Sequence, residues 1–233
     1  MKKKYVIFKD DDVGKDLPGL KKWVNIVLKN NAKGSIGLIG KYLKNQNVRD
    51  FLNSLNQDKI EVFCHGYSHS YLPFLISKKF GRNRFYPTEF DRNEISHNRS
   101  LKKYRKIESK YLKNKAVAFG PPGNLWNDTV IEPLVQNDFK LMFSWRKVGG
   151  NLFTIPLTAN LKQNSLKEFI DVYEQNKDDT IFTLQFHHAN LTGEQFQLIS
   201  KVIDFLKNNE SRVFILPSEL LDIFQKDKDT ASG

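Results

Sequence analysis

Residues 62–69 read VFCHGYSH, and this stretch decides the fold. An apolar run that begins at Ile60 has the length and composition of an inner β-strand. Gly66 lets the backbone turn sharply where that strand ends. If the chain then coils helically, the four-residue spacing places His65 and His69 on one face, as in other zinc-binding histidine pairs. The spacing alone also fits two unrelated polar residues in a loop, so a metal site requires a carboxylate from another strand.

A second stretch supplies that carboxylate. Residues 5–13 read YVIFKDDDV, an apolar strand that runs into Asp10, Asp11 and Asp12. Three adjacent carboxylates repel one another and resist burial, so a surface loop is the simplest explanation. At the end of the first strand of an α/β fold, however, they would reach a functional site. One carboxylate with two histidines predicts a metal site with open positions, suited to Zn²⁺ and also to Fe²⁺ or Co²⁺.

Strands alternate with helices along the chain. A strand–helix–strand–helix–strand order is complete by residue 65, which predicts parallel strands joined by helical crossovers. Polar or aromatic groups follow one predicted strand after another: Asp11-Asp12, His65 with His69, Pro121-Pro122, Trp145, and His187-His188. Five such groups predict an α/β barrel with its active site at the C-terminal ends of the strands.

One domain is expected over residues 1–225, followed by a polar, disordered tail over 226–233. The length of 233 residues suits a single well-buried domain. The long polar helix predicted after residue 90 contains His97, for which a solvent-facing position is expected.

The chain is strongly basic, with a net charge of +11 and a pI near 9.5. Its lysines are scattered, which is typical of a solvated surface but also favours anionic partners. The only cysteine, Cys64, excludes a disulfide framework. No apolar run reaches the length of a signal-peptide core or a membrane span. The expectation is a soluble, cytoplasmic protein.

Taken together, these stretches resemble the polysaccharide deacetylase superfamily (NodB homology, carbohydrate esterase family 4). The likeness is strongest to a short branch in which the histidine motif reads HGYxH and a Glu-Phe pair follows. Five motifs occur in the family's order, at 8–14, 65–69, 119–123, Trp145 and 184–187. The resemblance covers roughly residues 5–224 and implies a distorted (β/α)7-type barrel.

The resemblance also implies roles for individual residues. Asp12, His65 and His69 would bind the metal, Asp11 would be the catalytic base, and His187 would be the general acid. The run of three aspartates leaves Asp10 open as the base, and His188 is the alternative acid. A backbone N–H near Tyr67 would help to hold the oxyanion. The residues expected to contact substrate are Tyr67, Pro122, Gly123, Asn124, Trp126 and Trp145.

Two positions depart from the family pattern. Gly120 stands where an arginine usually orients the base, and Ser144 stands where an aspartate usually precedes the aromatic residue. Arg146 or another basic residue would then have to orient the base.

The implied activity is metal-dependent hydrolysis of an N-acyl group, usually acetyl, on an amino sugar or glycan precursor. The positive charge favours a phosphate-bearing or nucleotide-linked carbohydrate. The alternative is a non-catalytic carbohydrate-binding relative that keeps the metal, a reading motivated by Gly120 and Ser144. A nucleic-acid-binding protein is a weaker hypothesis, supported only by the charge and by the basic aromatic stretch Lys78–Phe85. No nucleic-acid partner is therefore expected.

Overall fold

The computed structural model describes residues 3–69, 89–90 and 92–231 of the chain. These residues form the strands Tyr5–Val13 (β1), Gly34–Leu38 (β2), Ile60–Cys64 (β3), Ala118–Phe119 (β4), Leu141–Ser144 (β5), Phe153–Pro156 (β6), Ala159–Asn160 (β7), Ile181–Phe186 (β8) and Val213–Phe214 (β9). They also form the α-helices Leu17–Lys29 (α1), Gln46–Ser54 (α2), Glu94–Tyr111 (α3), Ile131–Gln136 (α4), Leu166–Glu174 (α5), Gly193–Asp204 (α6) and Pro217–Ala231 (α7).

The strands form one parallel sheet in the order β6-β5-β4-β3-β2-β1-β8-β7, with β9 paired to β1. The strands at the two ends of this order, β6 and β7, are separated in the chain only by residues 157–158. The sheet must therefore curl until its ends approach each other. This curled parallel sheet confirms the predicted α/β, distorted-barrel fold.

Side chains of β1 alternate between two apolar cores. Phe8 belongs to the large core between the sheet and the helices, whereas Ile7 packs into a smaller core with Phe63 and Phe143. The Nζ atom of Lys9 lies 5.3 Å from the ring centroids of both Phe63 on β3 and Phe143 on β5. In a flat sheet β1 and β5 would be about 19 Å apart. The smaller core is therefore the inside of the curl.

Helix α1 forms as the sequence predicts. The Asp16 side chain accepts a hydrogen bond from the Gly19 N–H at 3.2 Å, and Pro18 lies in the first turn. The helix buries Trp23, Val27 and two neighbours at helical spacing against the outer face of the sheet. Its N-terminus follows β1 closely and thereby fixes the loop that contains Asp12.

One expectation about a helix is wrong. His97 on α3 is fully buried, its ring centroid 5.7 Å from that of Phe90, and its Nε2 accepts the Arg92 N–H at 3.2 Å. The polar neighbours of His97 concealed this buried face. Helix α7 ends at Ala231, and the division into a domain over 1–225 and a tail over 226–233 stays a prediction.

The basic stretch Lys78–Phe85 lies outside the described residues. Across the part of the chain that the structure does describe, no helix combines the length and hydrophobicity that crossing a bilayer would require.

Candidate metal and catalytic site

Three predicted metal ligands come together at the carboxyl ends of β1 and β3. A bulge interrupts the pairing of β1 with β2 between Asp10 and Val13, and Asp12 within it has a φ of 67°. His65 follows β3 directly, and His69 has a φ of 49°. One ligand atom from each of Asp12, His65 and His69 lies within 4.8 Å of the other two. This cluster of one carboxylate and two imidazoles could hold a divalent metal ion.

The orientation of His65 is fixed by the backbone of the next strand. Its Nδ1 lies 2.8 Å from the carbonyl oxygen of Gly120, which can only accept a hydrogen bond, so Nδ1 carries the hydrogen. The lone pair of Nε2 then faces Asp12, with Oδ1 at 3.7 Å. Burial lowers the pKa of His65 to about 4 and so favours the neutral form that binds metals.

Asp12 is held in its charged form. Its Oδ1 lies 2.9 Å from His69 Nε2 and 2.8 Å from Lys15 Nζ. Burial raises the pKa of Asp12, but the contact with His69, the electrostatic interaction with His65 and the contact with Lys15 outweigh it and hold the pKa well below its usual range. A carboxylate in this state can act as a metal ligand.

A buried carboxylate, Glu89, organises the histidine loop. Its Oε1 accepts the N–H of Tyr67 at 3.0 Å, and its Oε2 accepts the N–H groups of Ser68 and His69 at 2.9 and 2.7 Å. The hydroxyl of Ser100 also donates to Oε1. Because three successive N–H groups converge on one carboxylate, the loop that contains His69 has a defined shape.

The same contacts explain Gly66 and correct one expectation. Gly66 has a φ of 76°, and a Cβ at this position would lie 2.8 Å from Glu89 Oε2. The Tyr67 N–H, which we expected to face an oxyanion, is already used by Glu89. The sequence shows Glu89 only as part of a Glu-Phe pair, and its role becomes visible only in three dimensions.

Asp11 faces the inside of the curl, where it meets a lysine that the sequence analysis missed. Lys9 Nζ donates to Asp11 Oδ1 and Oδ2 at 2.6 and 2.5 Å and to Gln185 Oε1 at 2.9 Å. Lys9 is fully buried. Burial raises the pKa of Asp11, but the charge of Lys9 and the electrostatic interactions with nearby histidines outweigh it, so the pKa is below its usual value. Alternation along β1, which places residues 9 and 11 on one face, was the available signal.

Asp10 and His188, the alternative base and acid, pair with each other. Asp10 Oδ1 accepts the backbone N–H of His188 at 2.9 Å, and Asp10 Oδ2 lies 2.6 Å from His188 Nδ1. Both side chains are buried. Burial lowers the pKa of His188, but the charge and hydrogen bond of Asp10 outweigh it and raise the pKa overall. The pair fastens the end of β8 to β1.

His187, directly before this pair, faces the site. Its Nε2 lies 3.8 Å from Asp11 Oδ2, and its side chain is 36% exposed. The structure thus brings Asp11 and His187 together beside the cluster of Asp12, His65 and His69.

A cleft of about 550 Å³ begins at His187. Gly123 and Asn124, which follow β4 and were expected to contact substrate, line it with several other amide side chains. The amide-bearing residues are Asn124, Asn160, Gln185, Asn190 and Gln195. Asn124 Nδ2 donates to Gln185 Oε1 at 3.3 Å, so its own Oδ1 is the remaining acceptor. Pro122, expected beside them, is buried in the short helix Pro122–Asn124.

The aromatic residues expected to contact substrate, Tyr67, Trp126 and Trp145, differ in their exposure and in their contacts. Trp145 follows β5 and is 53% exposed. The Arg146 guanidinium lies 3.9 Å from the centroid of the Trp126 ring and pairs with Asp128 at 2.8 Å. Lys103 Nζ lies 5.8 Å from the ring of Tyr67.

Arg146, the basic residue that we expected to orient the base, pairs with Asp128 instead, whereas Lys9 contacts Asp11. Ser144, where the family pattern has an aspartate, is buried, and its Oγ accepts the Arg146 N–H at 3.1 Å.

Solved structures with a similar fold are carbohydrate esterases and deacetylases. A protein from Mycobacterium smegmatis, provisionally named a polysaccharide deacetylase, has a TM-score of 0.68 at 14% identity, over 98% of this chain and 92% of that one. A family 4 acetyl xylan esterase from Clostridium thermocellum, solved with a cobalt ion, has a TM-score of 0.65 at 14% identity, over 94% and 91%. At these identities the likeness shows the fold alone.

A further similar structure is BA3943 from Bacillus anthracis, described as a carbohydrate esterase family 4 pseudoenzyme. It has a TM-score of 0.58 at 17% identity over 91% of this chain. This chain spans only 63% of the length of BA3943. No curated protein sequence matches the chain.

The family of this chain is shown by a match to a protein-family sequence model. The model of glycosyl hydrolase family 57 matches residues 32–224, which is most of the chain. This is a different family from the one that the motifs resemble, although the fold expected from that resemblance is confirmed. The chain therefore belongs to glycosyl hydrolase family 57, and its fold is that of the NodB-type polysaccharide deacetylases of carbohydrate esterase family 4.

Proposed function

We propose that this protein is a metal-dependent hydrolase that removes an N-acyl group, most simply acetyl, from an amino sugar or glycan precursor. The observation that carries the proposal is the position of Asp11 and His187. They face each other beside a cluster of three metal-ligand side chains. A proton acceptor and a proton donor beside a metal site are the groups that amide hydrolysis requires.

The residues present fit a divalent metal. The donor set of two imidazoles and one carboxylate suits Zn²⁺ first and Fe²⁺ or Co²⁺ as alternatives. The Gly120 carbonyl fixes the His65 tautomer so that Nε2 is free to bind. Glu89 fixes the backbone that carries His69. These contacts support Asp12, His65 and His69 as the ligands.

In this proposal a bound Zn²⁺ supplies Lewis-acid polarisation of the amide carbonyl and lowers the pKa of water toward about 7. Asp11 accepts a proton from the attacking water. His187 Nε2 donates a proton to the leaving nitrogen as the C–N bond breaks, so that the products are a carboxylic acid and a free amine. Each such proton transfer typically contributes ~10²–10⁴-fold to the rate.

The cleft beside His187 supports a carbohydrate as the substrate. Asn124 Oδ1 and Asn160 Oδ1 are both buried without a hydrogen-bond partner among the described residues. A ligand with several hydroxyl or amide donors would satisfy them, and sugars carry such donors. Lys162 is the cationic side chain that lines the cleft. A phosphate-bearing or nucleotide-linked sugar stays a prediction from the net charge. A cytoplasmic location also stays a prediction.

Activity assays test this proposal directly. The protein is loaded with Zn²⁺, Co²⁺ or Fe²⁺ and incubated with N-acetylglucosamine oligomers, a nucleotide-linked N-acetylglucosamine and acetylated xylan. Release of acetate and of free amine is measured. Asp11→Asn should abolish most of the release, whereas Asp128→Asn, an exposed aspartate that pairs with Arg146, should not. Metal-loaded protein that releases nothing from any acylated sugar would contradict the proposal.

Glycoside hydrolysis is the second candidate, favoured by the family match over residues 32–224. Most glycosidases use two carboxyl groups on either side of the scissile bond. Around this site, three described carboxylates have a cationic or imidazole partner: Asp10 has His188, Asp11 has Lys9 and Asp12 has His69. A fourth, Glu89, is held by backbone N–H groups. The group that faces Asp11 as a proton donor is therefore a histidine and not a second carboxyl group, so the site fits deacylation better. Release of nitrophenol from nitrophenyl glycosides would favour the second candidate.

A non-catalytic carbohydrate-binding protein is the remaining alternative, and the similarity to a pseudoenzyme favours it. It predicts sugar binding that Asp11→Asn leaves unchanged and no turnover with any metal. Calorimetric titration with the same sugars, run beside the activity assays, separates it from the hydrolase.

A further inference from the structure

We propose that Lys9 is the residue that positions the base, holding the Asp11 carboxylate in one orientation from inside the curled sheet. This inference rests on the proposed function, because it assigns Asp11 a proton-accepting role. Lys9 is a positioning residue, since it acts through Asp11.

The contacts of Lys9 leave its ammonium group no freedom. An ammonium group has three N–H donors. Here three oxygens receive them: both Asp11 carboxylate oxygens at 2.5 and 2.6 Å, and Gln185 Oε1 at 2.9 Å. Gln185 is itself held by Asn124. The direction of the Asp11 carboxylate is therefore set by strands β1 and β8 together.

The surroundings of Lys9 make its charge effective. The side chain is fully buried, and the rings of Phe63 and Phe143 each lie 5.3 Å from Nζ. Water cannot screen the attraction to Asp11 in such a site, so it is stronger than on a surface. Burial lowers the pKa of Lys9, and the neighbouring carboxylates of Asp11, Asp10 and Asp12 only partly oppose this. A buried cation without a carboxylate beside it would destabilise the fold, so the burial of Lys9 depends on the presence of Asp11.

Gly120 provides the space for this arrangement. A Cβ atom at position 120 would lie 3.3 Å from Lys9 Cε and 2.7 Å from Phe63 Cε2. A larger side chain at this position would have to displace Lys9 or Phe63. The buried position of the Lys9 side chain therefore requires a glycine at position 120. The cation that the family pattern places after the fourth strand comes from β1 in this chain.

A double-mutant cycle tests the inference. The variants are Lys9→Met, Asp11→Asn and the double variant, with Lys33→Met as the matched control, because Lys33 forms an ion pair with Glu219. Lys9→Met should lower kcat about 100-fold, the typical cost of a misplaced catalytic group, and leave KM within threefold. Bound metal should stay at the wild-type level. In the Asp11→Asn background, Lys9→Met should have no further effect on kcat.

Retained activity in Lys9→Met, or equal losses in both backgrounds, would overturn the inference. Thermal unfolding of wild type, of these four variants and of Lys9→Met/Asp11→Leu provides a readout independent of catalysis. Lys9→Met should lower Tm, and replacing Asp11 as well should restore it. Additive Tm changes would also overturn the inference. A wild type that binds metal, shows coupled Tm changes and hydrolyses nothing would contradict only the proposed function.

Discussion

His187 Nε2 lies 3.8 Å from Asp11 Oδ2, although Asp11 lies on the first strand of the chain and His187 follows the eighth. Parallel pairing of β1 with β8 produces this contact, because the register pairs Lys9 with Gln185 and Asp10 with Phe186. The next positions on the inner face are then Asp11 and His187. The candidate base and acid thus occupy corresponding positions beside each other on two adjacent parallel strands.

Loss of either group should slow catalysis without loss of metal. Asp11→Asn and His187→Gln each remove a proton-transfer group, so kcat should fall by ~10²–10⁴-fold. Metal content, measured on the same preparations, should stay at the wild-type level because neither side chain belongs to the ligand cluster. An active His187→Gln variant would shift the acid role elsewhere.

Glu89→Gln should weaken metal binding although Glu89 is not a ligand. The amide retains one acceptor oxygen, whereas the carboxylate receives three backbone N–H groups. We expect zinc affinity to fall ~10–100-fold, as for other residues that orient ligands. Competition with a chromophoric chelator measures this, with the exposed Glu174→Gln as control. Equal affinities in wild type and Glu89→Gln would show that the loop keeps its shape without the charge.

Asp10→Ala should destabilise the fold. The substitution leaves the buried His188 ring and its backbone N–H without their carboxylate. Breaking a buried pair in this way costs roughly 3–5 kcal/mol. Denaturant unfolding of the metal-free protein measures the loss, and Asp128→Ala, which removes a largely exposed carboxylate, should cause little change. A loss as small as that of Asp128→Ala would mean that the pair contributes nothing.

Glu61 should make stability depend on pH at a point away from the metal site. Burial raises the pKa of Glu61, and the hydrogen bonds from Ser218 only partly oppose this. A carboxyl whose pKa is higher in the folded state stabilises the fold at low pH and loses that contribution as pH rises through the folded-state pKa. Glu61→Gln should therefore raise Tm relative to wild type at pH 8 and change it little at pH 4. An equal shift at both pH values would contradict this.

The local motifs could be predicted from sequence, whereas the groups that support them could not. The strand that precedes His65 and the acidic end of β1 have clear patterns of residue type and spacing. Both lie at the carboxyl ends of parallel strands. Alternation along β8 places Gln185 and His187 on one face, and the His187 ring lies beside Asp11 in the structure.

The contacts of Lys9 and Glu89 and the burial of His97 were not predicted, and the reason is physical. Lys9 is a charged residue in an apolar strand, and its burial depends on how far the sheet curls. Glu89 is far from His69 in sequence and reaches it only because the chain returns to the histidine loop. His97 lies among polar neighbours, yet Phe90 covers it. Alternation along β1 places Lys9 and Asp11 on one face, but the burial and the contacts of all three residues depend on the tertiary structure.

The most direct test of the account is metal content measured by elemental analysis on wild type and on the His65→Ala/His69→Ala variant. Both proteins are purified, stripped of metal and reloaded with Zn²⁺ at neutral pH. The account predicts about one ion per chain in wild type, the stoichiometry of a single three-ligand site, and none retained in the variant. Wild type that takes up no metal, or a variant that retains the full amount, would contradict it.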